Sequence, residues 1–161
     1  MLQTFHNPKK ITIHCSVTQN GKRADIDTIR KQHMLPVSQG GRGFSDVAYH
    51  GVIQPDGEWQ SGRPLNVVGA HVADDNTGNL GICLIGTDAF SKKQFEVLKY
   101  KLETLKLTFG IPLWNVFCHN QFKSAQAQGK SCPNICINHL LGWLLLGDFS
   151  IIEPYTYDPK R

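Results

Sequence analysis

Residues 79–87, NLGICLIGT, constrain the fold more than any other stretch of the chain. They form an apolar, β-branched run without alternation, flanked by Asn and Gly, which is the pattern of a central strand buried on both faces. Such a strand needs a layer on each side. The chain is therefore predicted to be an α/β fold, a single domain with a central mixed β-sheet flanked by helices. The next segment supplies part of one layer. Ser91 and Gln94 have capping-box spacing, Phe95, Leu98, Leu102, Leu105 and Phe109 recur at helical spacing, and Gly110 with Pro112 ends the run.

The other elements are read in the same way. KKITIHCS (9–16) alternates Ile11, Ile13 and Cys15 with Thr12, His14 and Ser16, as a strand does. ADIDTIRKQHM (24–34) reads as a short helix with Asp25 or Asp27 as N-cap, and 36–46 as a Gly-rich loop. VAYHGVIQ (47–54) is a second strand closed by the turn PDG, LWNVFCH (113–119) a strand with His119 at its end, and INHLLGWLLL (137–146) a closing helix. No repeat or linker divides the 161 residues. One domain over 1–161 is expected, with a core from about 10 to 146 and a tail over 147–161.

A formal charge of +4 favours anionic partners only mildly, and Lys and Arg are spread along the chain, so no dedicated nucleic-acid site is expected. The longest apolar run, LLGWLLLG, is too short to span a bilayer. The N-terminus, MLQTFHNPKKIT, lacks the apolar core of a secretory signal, so a soluble chain made in the cytosol is expected. In a reducing compartment five cysteines are thiols or ligands rather than a disulfide framework.

Three residues are candidate metal ligands: His14 on a strand, His119 at a strand end, and Cys132 near the end of the polar segment CHNQFKSAQAQGKSCPN (118–134). Histidine and thiolate suit a borderline-soft ion such as Zn²⁺, and three protein ligands leave a fourth position open for water. Cys15, Cys83 and Cys136 sit in or before apolar patterns and are expected to be small buried hydrophobes. A nucleobase deaminase would need H-x-E followed by P-C-x-x-C. Here Cys15 and Ser16 follow His14, Asn120 and Gln121 follow His119, and SCPNIC has the wrong spacing.

Four ordered blocks, IHCSVT (13–18), DVAYHGVIQPDGEWQSGRP (46–64), GAHVADDNTGNLGICLIG (69–86) and CHNQF…GKSCP (118–133), resemble the zinc N-acetylmuramoyl-L-alanine amidases. Within them the chain is most similar to the small bacteriophage lysozymes of the type-2 amidases, relatives of the peptidoglycan recognition proteins. The similarity runs from about residue 10 to about residue 146.

The resemblance implies one Zn²⁺ per chain, in a surface groove, held by His14, His119 and Cys132. It assigns catalytic roles to Tyr49, in a Y-H pair, and to Lys130, two residues before the cysteine ligand. His71 and Asn76 match a groove segment and are expected to line the substrate cleft; Arg63 is expected either to contact substrate or to support its turn. Family members commonly carry an acidic residue shortly after the second zinc histidine, where this chain has Asn120 and Gln121. The SQGGRGFSD insertion (38–46) is expected to reshape one rim of the groove.

The implied reaction is hydrolysis of the amide between N-acetylmuramic acid and L-alanine in peptidoglycan, as in a phage endolysin that lyses its host. The implied setting is the host cytoplasm, with access to the cell wall after the membrane is opened, and a monomer is expected. Two other roles in the family are peptidoglycan recognition without cleavage and binding of a phage RNA polymerase.

Overall fold

A computed structural model describes residues 7–157 of the chain. The strands are β1 (Lys10–Cys15), β2 (Gly51–Ile53), β3 (Trp59–Ser61), β4 (Asn79–Leu84) and β5 (Val116–Cys118). They form one sheet in the order β3-β2-β4-β1-β5. β4 pairs parallel with β1 and β2, and β1 with β5, whereas β3 is antiparallel to β2. Every residue of β4 is buried, as its unbroken apolar sequence requires.

Successive side chains of β4 point to opposite faces and seed two cores. On one face Leu80, Ile82 and Leu84 join Ile11 and Ile13 under helices α2 (Lys92–Phe109) and α4 (Ile137–Leu146), which contribute Phe95, Leu98, Leu102, Leu140 and Trp143. On the other, Cys83 and Ile85 pack with Val47, Val52 and Ile26 of helix α1 (Ile26–Met34). Burying side chains such as Phe95, Leu98 and Leu102 stabilises by roughly 1.5–3 kcal/mol each. The capping box of α2 is present: Ser91 Oγ accepts from the Gln94 N–H at 3.1 Å, and Gln94 Oε1 from the Ser91 N–H at 2.9 Å. Gln94 Nε2 also donates to the carbonyls of Ile53 and Ile85, fastening the helix start to the sheet.

Several expectations need correction. The second strand is regular only over Gly51–Ile53: Tyr49 and His50 still bond to neighbouring backbone, but farther back the Ala48 N–H goes to His33 Nδ1 and the Val47 C=O accepts from Arg63 Nε. β3 and the short helix α3 (Lys123–Ala127) were not anticipated, being too brief for periodicity to register. A 3-10 turn, Leu113–Asn115, replaces the start of the strand expected over 113–119. Asp25 is the N-cap of α1 but does not cap it, since its carboxylate faces Arg23 and Gln60. Cys15 and Cys83 are buried as expected, but Cys136 is exposed. Residues 1–6 and 158–161 of the expected domain lie outside the described residues, and the described tail packs back through Ile152, which is fully buried.

The topology fixes where chemistry can occur. β1 and β5 are neighbouring parallel strands whose C-terminal ends lie on one edge, the usual place for a site in such sheets. Their register aligns Ile13 with Cys118, which brings the next residues, His14 and His119, side by side.

Candidate metal centre

His14 and His119 are both buried, with ring centroids 4.4 Å apart. Cys132 arrives from the loop after α3, and Asn120 holds that loop in place. The Asn120 N–H donates to the Cys132 carbonyl at 2.9 Å and its Nδ2 to the Ser131 carbonyl at 3.2 Å. Gln121 accepts from the Cys118 N–H through Oε1. Of the two residues that stand where relatives carry an acid, Asn120 ties one donor segment to the other, and Gln121 braces the turn that carries His119.

One ligand atom each from His14, His119 and Cys132 lies within 4.8 Å of the other two, and Cys132 Sγ is 3.9 Å from His14 Nδ1. Zinc bonds of about 2.0 Å to nitrogen and 2.3 Å to sulfur separate tetrahedral donors by about 3.3–3.5 Å, so donors at this spacing would draw in by no more than about 1.5 Å to hold the ion. Burial, then the neighbouring His71, His119 and Lys130, holds His14 well below the usual histidine range. Burial and Lys130 push His119 down to about 4. Both rings are neutral at pH 7 and offer lone pairs. The contact with the Cys15 thiol, then burial, pushes the Cys132 thiol up, so a cation at the centre is what would favour its thiolate.

The donors open onto a cleft of ≈ 540 Å³ that Tyr49 and Lys130 also line. The Tyr49 ring is 5.2 Å from that of His14. Burial, then Cys83 and Cys132, raises its hydroxyl well above the usual range, which keeps it an O–H donor. Lys130 is exposed on the rim, and its charge acts on both histidines.

The expected substrate residues have other engagements. His71 borders the cleft, but both ring nitrogens are occupied, by His14 Nε2 at 3.0 Å and the Asn79 carbonyl at 3.0 Å. Asn76 Oδ1 accepts from the N–H groups of His71 and Val72 and is not among the cleft-lining residues. Arg63 is buried away from the lining, with its guanidinium on the carbonyls of Val47, Val68 and Asp46. Sequence reasoning missed His33, which lines the cleft with Arg42 and Phe44. Its Nδ1 accepts from the Ala48 N–H, leaving a proton on Nε2, and its ring meets Tyr49 edge-on at 5.7 Å. No periodicity marked it; Arg42 and Phe44 belong to the insertion expected to shape a rim, and they do line the cleft.

The N-acetylmuramoyl-L-alanine amidase family matches residues 4–135, most of the chain and every candidate donor. The chain belongs to that family. Among amidase relatives, the endolysin of Klebsiella phage KP32 is 32% identical over 108 residues, covering 62% of this chain and 68% of that one. The endolysin N-acetylmuramoyl-L-alanine amidase LysCS from Clostridium intestinale superposes with a TM-score of 0.74 at 23% identity, over 90% of this chain and 88% of that one. Peptidoglycan recognition protein LE, known from Drosophila melanogaster, has been solved with tracheal cytotoxin, a monomeric diaminopimelic acid-type peptidoglycan. It superposes with a TM-score of 0.67 at 24% identity, over 83% and 78% of the two chains. At these identities the two structures share the amidase fold.

Proposed function

We propose that this amidase is a phage endolysin that hydrolyses the amide between N-acetylmuramic acid and L-alanine, with one zinc ion held by His14, His119 and Cys132. The observation that carries the proposal is the convergence of these three donors at the ends of two parallel strands, in a cleft shared with Tyr49 and Lys130. What zinc supplies when bound to three protein donors is Lewis-acid polarisation and activation of water for attack.

The chain's own residues perform the remaining tasks. An amide is a poor electrophile, and attack on its carbonyl places negative charge on the oxygen. Tyr49 lines the same pocket, its hydroxyl kept protonated beside Cys83, and donates to that oxygen or orients the incoming water. Lys130 supplies positive charge from the rim. Arg42 and Phe44 offer a cation and an aromatic face to a polar, acidic stem peptide, while Arg63, Asn76 and His71 hold the walls that define the groove.

Peptidoglycan-recognition relatives raise the alternative of binding without cleavage, but the full donor set favours the enzyme. Access to the wall follows opening of the inner membrane; no helix among the described residues is long and apolar enough to cross a bilayer. The test is product analysis of purified peptidoglycan after digestion. New amino groups on L-alanine without new reducing sugar ends are expected. Reducing ends would make the protein a glycosidase, and amines on other residues an endopeptidase.

A further inference from the structure

His71 borders the cleft, but both its ring nitrogens are engaged, and the fold is built around its ring. A Cβ added to Gly69 would meet His71 Cδ2 at 2.4 Å, and one added to Gly81 would meet the ring at 2.7 Å. Two glycines therefore make the slot that the imidazole fills. The Asn76 side chain fixes the His71 backbone from outside the slot. Asn79, whose carbonyl meets the ring, is itself held by Thr12 Oγ1, which donates to its Oδ1 at 2.8 Å, and by the Asp75 carbonyl, which its Nδ2 reaches at 2.8 Å.

The hydrogen bonds can run in one direction only. A carbonyl accepts, so His71 Nε2 carries its proton toward Asn79 at 3.0 Å. A neutral imidazole has one N–H, so His71 Nδ1 is an acceptor, and the proton at 3.0 Å comes from His14 Nε2. The remaining lone pair of His14 is then on Nδ1, the atom that faces Cys132 Sγ.

We propose that His71 is a positioning residue for the metal centre: by accepting the Nε2 proton of His14 it aims the His14 Nδ1 lone pair at the ion. This rests on the zinc reading above. Ligating histidines commonly donate their second N–H to a carboxylate or carbonyl. Here a neutral imidazole, itself anchored to a strand carbonyl, takes that place. It orients the ring without adding negative charge to the site.

The test compares the parent with His71→Leu and His71→Asn, reading the zinc dissociation constant by competition with a chromophoric chelator. Leu removes the acceptor, whereas Asn returns one near the position of Nδ1; neither is expected to keep the Asn79 contact. His71→Leu should weaken zinc binding by about tenfold to a hundredfold, and His71→Asn should recover most of that loss. Parental affinity in His71→Leu, or equal losses in both variants, would overturn the proposal, the second outcome marking His71 as merely structural. If His71→Leu does not fold, ring ¹⁵N NMR of the zinc-loaded parent decides. His14 should carry its proton on Nε2, and finding Nε2 unprotonated overturns the proposal. A parent that binds no zinc would instead remove the zinc reading itself, and with it the role assigned to His71.

Discussion

The backbone N–H of Cys15 donates to Cys132 Sγ at 3.1 Å, so the residue after one candidate ligand contacts the sulfur of another. An amide donor of this kind favours thiolate over thiol. Without a cation, the Cys15 thiol contact and burial still push the Cys132 thiol up. Zinc binding should therefore release a proton from sulfur. His119 titrates only at about 4 and His14 also lies below the usual histidine value, so neither ring competes at neutral pH. Zinc affinity should rise about tenfold per pH unit between roughly pH 5 and 8. Chelator competition across that range checks this; a flat profile would mean that no thiol is deprotonated on binding.

Tyr49→Phe and Lys130→Met should retain zinc and fold while losing hydrolysis. Each removes a group assigned to the transition state, so kcat should fall more than substrate affinity, by about 10²–10³. Replacing an ordinary exposed lysine changes little. Zinc content, peptidoglycan pull-down and turnover, measured on the same preparations, separate the possibilities. Parental turnover in Lys130→Met would make it a loop residue only, and loss of zinc in both variants would make them supports of the site.

Acid should destabilise the metal-free protein well above the carboxylate range. His50 is pushed down to about 4 and His71 to about 3, in both cases mainly by burial, and His14 and His119 are also lowered. Folded values below the ordinary 6.5 mean that the unfolded chain takes up protons first as pH falls. The stability is present above about pH 6.5 and is lost toward pH 4, at about 1.4 kcal/mol per pH unit for each histidine while the two states differ. Thermal melts of zinc-stripped protein should show Tm falling steeply over that window. An unchanged Tm from pH 7 to 4.5 would contradict the burial of these rings as neutral groups.

Val17 borders the cleft with φ 58°, a left-handed conformation that a β-branched residue adopts only under constraint. The turn is held by Ser16 Oγ, which meets Thr18 Oγ1 at 2.8 Å and accepts from the Gly86 N–H at 3.1 Å, and by Thr87 Oγ1 donating to the Thr18 carbonyl at 2.7 Å. Such strain is worth on the order of 1–3 kcal/mol. Val17→Gly should raise Tm by a few degrees and leave zinc affinity intact. A lower Tm would show that the valine side chain, 71% exposed, contributes more than its backbone strain removes.

The strands and helices with long apolar patterns were legible because burial imposes periodicity: β1, β4, α2 and α4 are where the sequence puts them. β3 and α3 were not, because three to five residues carry no period, and neither was the irregular entry to β2, where side chains of distant residues hold the backbone of Val47 and Ala48. The three donors were legible as residue types, and the structure adds that strand register brings two of them together. His71, Asn76 and Arg63 stood out in the same motifs; His71 does line the cleft, but pattern cannot show that Asn76 and Arg63 lie behind it or what each side chain holds. Only their partners do so: a ligand ring, a backbone pair and three carbonyls.

The most direct test is zinc per chain together with peptidoglycan hydrolysis, measured on the same purified samples of the parent, His119→Ala and Cys132→Ser. The parent should carry one zinc and hydrolyse the substrate. His119→Ala should lose both, and Cys132→Ser should bind zinc more weakly, because a hydroxyl does not replace a thiolate donor. Full hydrolysis by a parent with zinc near zero, or by His119→Ala, would contradict the assignment of His14, His119 and Cys132 as the centre of the reaction.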